Sequence, residues 1–288
     1  MRLRISDSDV IEFGDSPKIM GILNVTPDSF SDGDKYLAPD SALRHVGEML
    51  EAGADIIDIG GESTRPGHVP VSADEELRRV VPVIKALSKE YPQAIMSIDT
   101  SKAEVASAAL QEGVRIVNDV TALEYGGMAM VKAISAFKAG CILMHPRGVG
   151  QGDCTEDVKE YLAERIRFAV EATGLDEEYF AVDPGIGFGK TLEQNMELTI
   201  SSNRLHSLGR PVLIGVSRKS FIGALTGRKV EERGIGTAAA VCLSVYMGAD
   251  ILRVHDVAAA RDVVAVACGI MRAEAAHTKV EGGKVAGK

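Results

Sequence analysis

Eight short apolar runs constrain what this chain can fold into more than any other feature. They fall at residues 19–25, 56–60, 94–99, 115–119, 141–144, 180–183, 212–216 and 251–254. The runs are rich in β-branched residues and do not alternate apolar with polar. That is the pattern of strands buried on both faces, as in a parallel sheet. Helical stretches lie between them. In residues 41–52, Leu43, Val46, Met49 and Leu50 share one helical face, and in residues 158–173 Val158, Leu162, Ile166, Ala169 and Val170 do the same. Ser72 with Glu75, Ser101 with Glu104 and Thr191 with Gln194 have the spacing of a capping box, which satisfies free N–H groups at a helix start.

Strand–helix pairs repeated in this way predict an α/β fold, the (β/α)₈ TIM barrel, for which ~250 residues is typical. The rival is an open doubly wound sheet, but no glycine-rich dinucleotide fingerprint follows the first run. Residues 3–13 alternate weakly and predict a short N-terminal hairpin under the barrel floor. One domain is expected over residues 1–276. The stretch 277–288, rich in Gly and Lys and poor in apolar residues, is predicted to be disordered.

The chain has 288 residues, 45% of them hydrophobic, with a net charge of −9. It has apolar material for a sizeable core, and its acidity argues against nonspecific nucleic-acid binding. A small anionic substrate stays open, because a pocket can be basic on an acidic protein. Cys141, Cys154, Cys242 and Cys268 form no CxxC pair and are expected to be reduced, mostly buried thiols. No apolar stretch is long enough to span a bilayer, and the charged start (Arg2, Arg4, Asp7, Asp9, Glu12) has no signal-peptide core. A cytoplasmic location is therefore expected, with no membrane or nucleic-acid partner.

Barrel enzymes place their sites at the C-terminal ends of the strands. Those ends hold Asn24, Asp99, Asn118 with Asp119, Met144 with His145, Asp183, residues 217–220, and Arg253 with His255. Asp99, Asn118 and Asp183 would pair with the donor-rich edge of a heteroaromatic ring. Alternatively, either Asp would cap the next helix and Asn118 would serve a turn. Lys219, in GVSRKSFIG, sits where barrels often bind anions, or else is a solvated cation. Arg253 and His255 share a strand face and, with Asn24, form a polar corner suited to diphosphate. His145 reads as structural. Zinc-type His/Cys spacing is missing, whereas magnesium needs few protein ligands beside water and phosphate, and Asn24 would supply one oxygen. Residues 26–39 and 61–71, with Phe30 and Arg65, are long for βα connections, where about 2–6 residues is usual. They read as lids, or as plain surface loops.

With those residues in view, the chain resembles the dihydropteroate synthase family. The matching segments are GILNVTPDSFSDG (21–33), ADIIDIGGESTRPG (54–67), SIDTSKAEVA (97–106), VNDVTAL (117–123), DPGIGFGKT (183–191), IGVSRKSFIG (214–223) and RVHDV (253–257). The resemblance implies condensation of a dihydropterin methyl diphosphate with 4-aminobenzoate in folate biosynthesis. It implies that Asp99, Asn118, Met144, Asp183, Gly215 and Lys219 bind pterin, and that Thr64, Arg253 and His255 bind diphosphate. It further implies that Phe30, Pro66, Phe188 and Ser220 hold aminobenzoate, that Asn24 binds Mg²⁺, and that Asp32, Arg65 and Lys219 act at the reacting centre. A homodimer through the last helices is also implied. Two departures stand out: PRGVGQGD after His145, and Ile186 where relatives are often aromatic. Two other readings are a corrinoid-linked methyltransferase on the same barrel and a pterin-binding paralog without catalysis.

Overall fold

The computed structural model describes residues 1–26, 37–62 and 70–285; side chains are described from residue 39 in the first helix and up to residue 275 in the last. Strands β1 (Arg2–Arg4) and β2 (Val10–Glu12) form an antiparallel hairpin. The barrel strands are β3 (Lys18–Asn24), β4 (Ile56–Gly60), β5 (Ile95–Asp99), β6 (Ile116–Asp119), β7 (Gly140–Met144), β8 (Phe180–Asp183), β9 (Leu213–Ile214) and β10 (Ile251–Val254). They pair in parallel, in the order β8-β7-β6-β5-β4-β3-β10-β9. A parallel bridge between Val182 and Val212, with Val182 N–H donating to Pro211 O at 2.9 Å, joins the two ends of the sheet. The expected barrel is therefore observed, and so is the hairpin.

Helices wrap the outside: α1 (Leu37–Glu51), α2 (Ala73–Glu90), α3 (Ala103–Gln111), α4 (Gly127–Phe137), α5 (Cys154–Thr173), α6 (Leu192–Thr199), α7 (Ser202–Leu205), α8 (Ser220–Thr226), α9 (Gly234–Tyr246) and α10 (Val257–Val285). Ser72 caps α2 by accepting from Glu75 N–H, and Thr191 with Gln194 closes a full capping box on α6. The box at Ser101 does not form. Lys102 is the N-cap of α3 without a side-chain bond, and its N–H is taken instead by Thr100 Oγ1 at 3.1 Å. The last helix continues to Val285, into the stretch where composition predicts disorder.

Period-two geometry sorts each strand into two environments. Ile19, Leu23, Ile57, Ile59, Ile98, Val117, Leu143, Val182, Ile214 and Leu252 face the helices in one large apolar cluster. Met20, Ile56, Ile116, Ile142, Ala181, Leu213 and Ile251 form a second cluster with Leu3, Ile5, Ile11 and Phe13. The hairpin thus packs its apolar side chains onto the inner residues at one end of the barrel. Moving two residues along those same strands gives Asp58, Asn118, Met144, Asp183, Gly215 and Arg253. The barrel interior is oil at the floor and polar at the mouth.

Candidate active site

Register brings the polar residues level. Asn24 pairs with Gly60, Gly60 with Asp99, Asp99 with Asn118, and Met144 with Asp183 on adjacent strands. Arg253, on β10, reaches across the mouth. Its Nε donates to Asp58 Oδ2 and its Nη2 to Asp99 Oδ2, both at 2.6 Å. Asn118 Nδ2 donates to the same Asp58 Oδ2 at 3.1 Å. Four side chains from β4, β5, β6 and β10 therefore share one buried lattice. Two carboxylates divide a single guanidinium, and Asp58 Oδ1 and Asp99 Oδ1 have no hydrogen-bond partner among the described residues. An orphaned buried acceptor is costly unless a donor reaches it.

The electrostatics follow from that sharing. Burial pushes the Asp99 carboxyl up to about 7 against the pull of Arg253, and the neighbouring charge of Asp58 adds to the rise. Arg253 moves upward: burial disfavours its charge, but Asp58 and Asp99 outweigh burial. Asp183 is also raised by burial, although its Oδ1 accepts Gly185 N–H at 2.7 Å and Lys219 attracts it. Burial lowers Lys219 to about 8, opposed chiefly by Asp183. The Lys219 ammonium lies 4.5 Å from the centre of the Phe188 ring, within cation–π range.

Lys219 is the N-cap residue of α8, directly after Arg218, which adopts a left-handed backbone with φ 58°. Thr237 Oγ1 holds that turn by accepting Arg218 N–H at 3.0 Å, and Arg233 Nη1 donates to Arg218 O at 3.0 Å. On β10's far end, His255 is held by Ser217, whose Oγ lies 3.0 Å from His255 Nδ1 and accepts His255 N–H at 3.3 Å. Ser220 is exposed at the start of α8, and Gly215 and half-buried Asn24 close the rim.

The structure separates the alternatives that the sequence leaves open. Asp99 does not cap α3, because its carboxylate belongs to Arg253. Asp183 does not cap α6, whose cap is Thr191. Asn118 is not a turn residue. Asp119 is: its two oxygens accept from Thr121 N–H, Thr121 Oγ1–H and Leu123 N–H at 2.7–2.9 Å, bracing Ala122 and Leu123 at positive φ. His145 is structural, and burial together with the charges of Lys190 and Arg147 lowers it to about 4. Ile186 is buried in the outer cluster. Phe30, Asp32, Thr64, Arg65 and Pro66 lie outside the described residues.

Asp58 was missed by motif reading, yet it carries a signal. It is an acid in the middle of IIDIG, in phase with inward-facing Ile56, and an acid there must have a cationic partner. Among the described residues no group of three or more His, Cys, Asp or Glu could hold a metal. A single carboxamide, Asn24, fits a hard cation carried mainly by water and phosphate oxygens, and not an all-protein cage.

The molecule is a closed parallel barrel with acids, an amide and cations at its mouth, the end at which barrel enzymes place their sites. The chain belongs to the family of pterin binding enzymes, whose model matches residues 20–255. Within that family it is similar to dihydropteroate synthases. One from Streptococcus pyogenes is 48% identical over 257 residues, covering 88% of this chain and 95% of the relative. Among solved structures, the dihydropteroate synthase of Clostridium difficile in the presence of pteroic acid superposes with a TM-score of 0.86 at 44% identity, covering 90% of this chain and 98% of that one. That of Xanthomonas albilineans with 4-aminobenzoic acid gives 0.85 at 42%, covering 94% and 98%.

Proposed function

We infer that the protein is a dihydropteroate synthase, joining (7,8-dihydropterin-6-yl)methyl diphosphate to 4-aminobenzoate with release of diphosphate. The observation that carries the reading is the lattice of Asp58, Asp99, Asn118 and Arg253, with orphaned carboxylate oxygens beside Asp183 and Lys219. Pterin N–H donors satisfy such acceptors, and Lys219 supplies a donor to the ring carbonyl. Relatives crystallised with pteroic acid and with 4-aminobenzoic acid support both substrates.

The residues suggest a dissociative, SN1-like course. As diphosphate leaves, positive charge develops on the exocyclic carbon and spreads into the pterin ring. Asp99 and Asp183, both buried, lower the energy of that charge because there is little water to screen it. Arg253 and His255, with Thr64, offset the charge of the departing diphosphate. The neutral aryl amine then attacks and gives up a proton to the released diphosphate or to water, so no enzyme nucleophile is needed. Phe188, Phe30, Pro66 and Ser220 hold the aminobenzoate, Met144 and Gly215 line the pterin slot, and Asp32 and Arg65 act at the reacting centre. Mg²⁺ bound through Asn24 would add Lewis-acid stabilisation of the leaving group.

The proposal extends to a cytoplasmic homodimer. Its support is an apolar face on α9 and α10, where Ile235, Leu243, Tyr246, Val266 and Ile270 are exposed, Ile235 by 89%. All four cysteines are free thiols, as a reducing compartment requires. The deciding experiment incubates purified protein with Mg²⁺, pterin diphosphate and aminobenzoate and follows diphosphate release. Release that depends on both substrates is expected. Pterin binding without release would identify a paralog that has lost catalysis.

A further inference from the structure

Lys190 lies between two loops at the mouth and takes no part in the mechanism above. Its ammonium donates to Arg147 O at 2.9 Å, Phe188 O at 3.1 Å and His145 O at 3.2 Å, and lies 3.0 Å from His145 Nδ1. All four partners are uncharged. A cation whose hydrogen bonds go to backbone carbonyls holds chain segments in place, and Asp183 attracts it only through space. Burial and the neighbouring charges of Lys190 and Arg147 hold His145 down to about 4, so its imidazole stands neutral beside the ammonium.

The two loops meet without room to spare. A Cβ on Gly185 would sit 2.0 Å from His145 O, and Gly185 has φ 71°. A Cβ on Gly148 would sit 2.7 Å from Gly189 O. Bare backbone therefore faces bare backbone, and Lys190 supplies the hydrogen bonds across the seam. The seam also carries Phe188, whose carbonyl Lys190 binds and whose ring stands under Lys219. From the other side, Asn195 accepts Gly187 N–H at 2.6 Å and donates to Lys190 O at 3.2 Å.

We propose that Lys190 is a positioning residue that pins the loop after β8 to the loop after β7 and so sets the Phe188 ring against Lys219. The step to catalysis rests on the aminobenzoate role of Phe188 proposed above; the structural step does not. The first readout is therefore direct. In protein labelled with fluorophenylalanine, the Phe188 resonance, assigned with Phe188→Leu, moves or broadens in Lys190→Met while resonances of distant Phe residues stay. An unmoved Phe188 resonance overturns the proposal.

The second readout is kinetic. Lys190→Met raises the KM for aminobenzoate at least fivefold and the KM for pterin diphosphate less than twofold. In a Phe188→Leu background the same substitution adds less than twofold, because the path runs through that ring. Full additivity, or equal rises in both KM values, overturns it. If Lys190→Met does not fold, Lys190→Gln, which keeps two N–H donors, is read by the same cycle. A KM unaffected by Phe188→Leu alone refutes the aminobenzoate subsite instead, and the fluorine signal still decides the role of Lys190.

Discussion

Replacing Arg253 with Gln tests the mouth lattice most severely. The guanidinium makes two hydrogen bonds of 2.6 Å, to Asp58 and Asp99, from a side chain only 19% exposed. Hydrogen bonds to charged groups contribute about 1.5–3 kcal/mol each, and removing one member of a buried ion pair costs about 3–5 kcal/mol. Gln can donate to one carboxylate but brings no charge, so a loss of about 3–5 kcal/mol is expected at pH 8.5. The sign with pH follows from proton binding. Asp99 already has a folded value of about 7 against an ordinary 3.8, so the native protein loses stability as pH rises from about 4 to about 7 and then levels off. Without Arg253 the folded value rises further, and the variant goes on losing stability above pH 7. The gap to wild type widens by up to about 2 kcal/mol between pH 7 and 8.5. Urea unfolding at pH 6, 7 and 8.5 measures it, with Asp99→Asn/Arg253→Gln as the control that removes one stranded acid. A gap below ~1 kcal/mol, or one that does not change with pH, would refute the shared-guanidinium account.

Pterin affinity should peak between pH of about 7 and about 8. Below that range Asp99 is protonated and loses an acceptor; above it Lys219 loses its charge. Calorimetry in two buffers should show proton release on binding below pH 7, and Lys219→Met should flatten the alkaline limb while moving the acid limb to higher pH, because a charge that holds Asp99 down is lost. Thr191→Ala removes the capping box of α6 and should cost about 1 kcal/mol in urea unfolding, with kcat changed little. Ile270→Glu places a charge on the exposed α9–α10 face and should convert a dimer to monomer in sedimentation; a wild-type monomer would reject the dimer outright.

Much of the architecture could be read from residue order because its cause is local. A run such as IIDIG has no polar alternation, so both faces must be covered, and repetition of that unit leaves few solutions besides a barrel. Strand ends were legible for the same reason: Asn24, Asp99, Asn118 and Asp183 each close an apolar stretch at the level where the interior turns polar. Some helix starts were legible too, at Ser72 and Thr191, where the cap and its partner are three residues apart. Ser101 had the same spacing and failed, because the helix starts one residue later, with Lys102 at the cap position.

The sequence by itself determined the repeating strand–helix order, the apolar floor, and the set of acids, amides and cations that would stand at the rim. Those follow from patterns a few residues long. The tertiary structure alone decided which of them touch. Arg253 meets Asp58 across 195 positions and Asp99 across 154, while Lys190 meets His145 across 45. No local propensity encodes such pairings, because they exist only once the sheet has closed and register has set the strands level. Closure made Asp58 a partner instead of a buried anomaly, turned Asp119 away toward its own turn, and drew Lys190 into a cage of carbonyl oxygens.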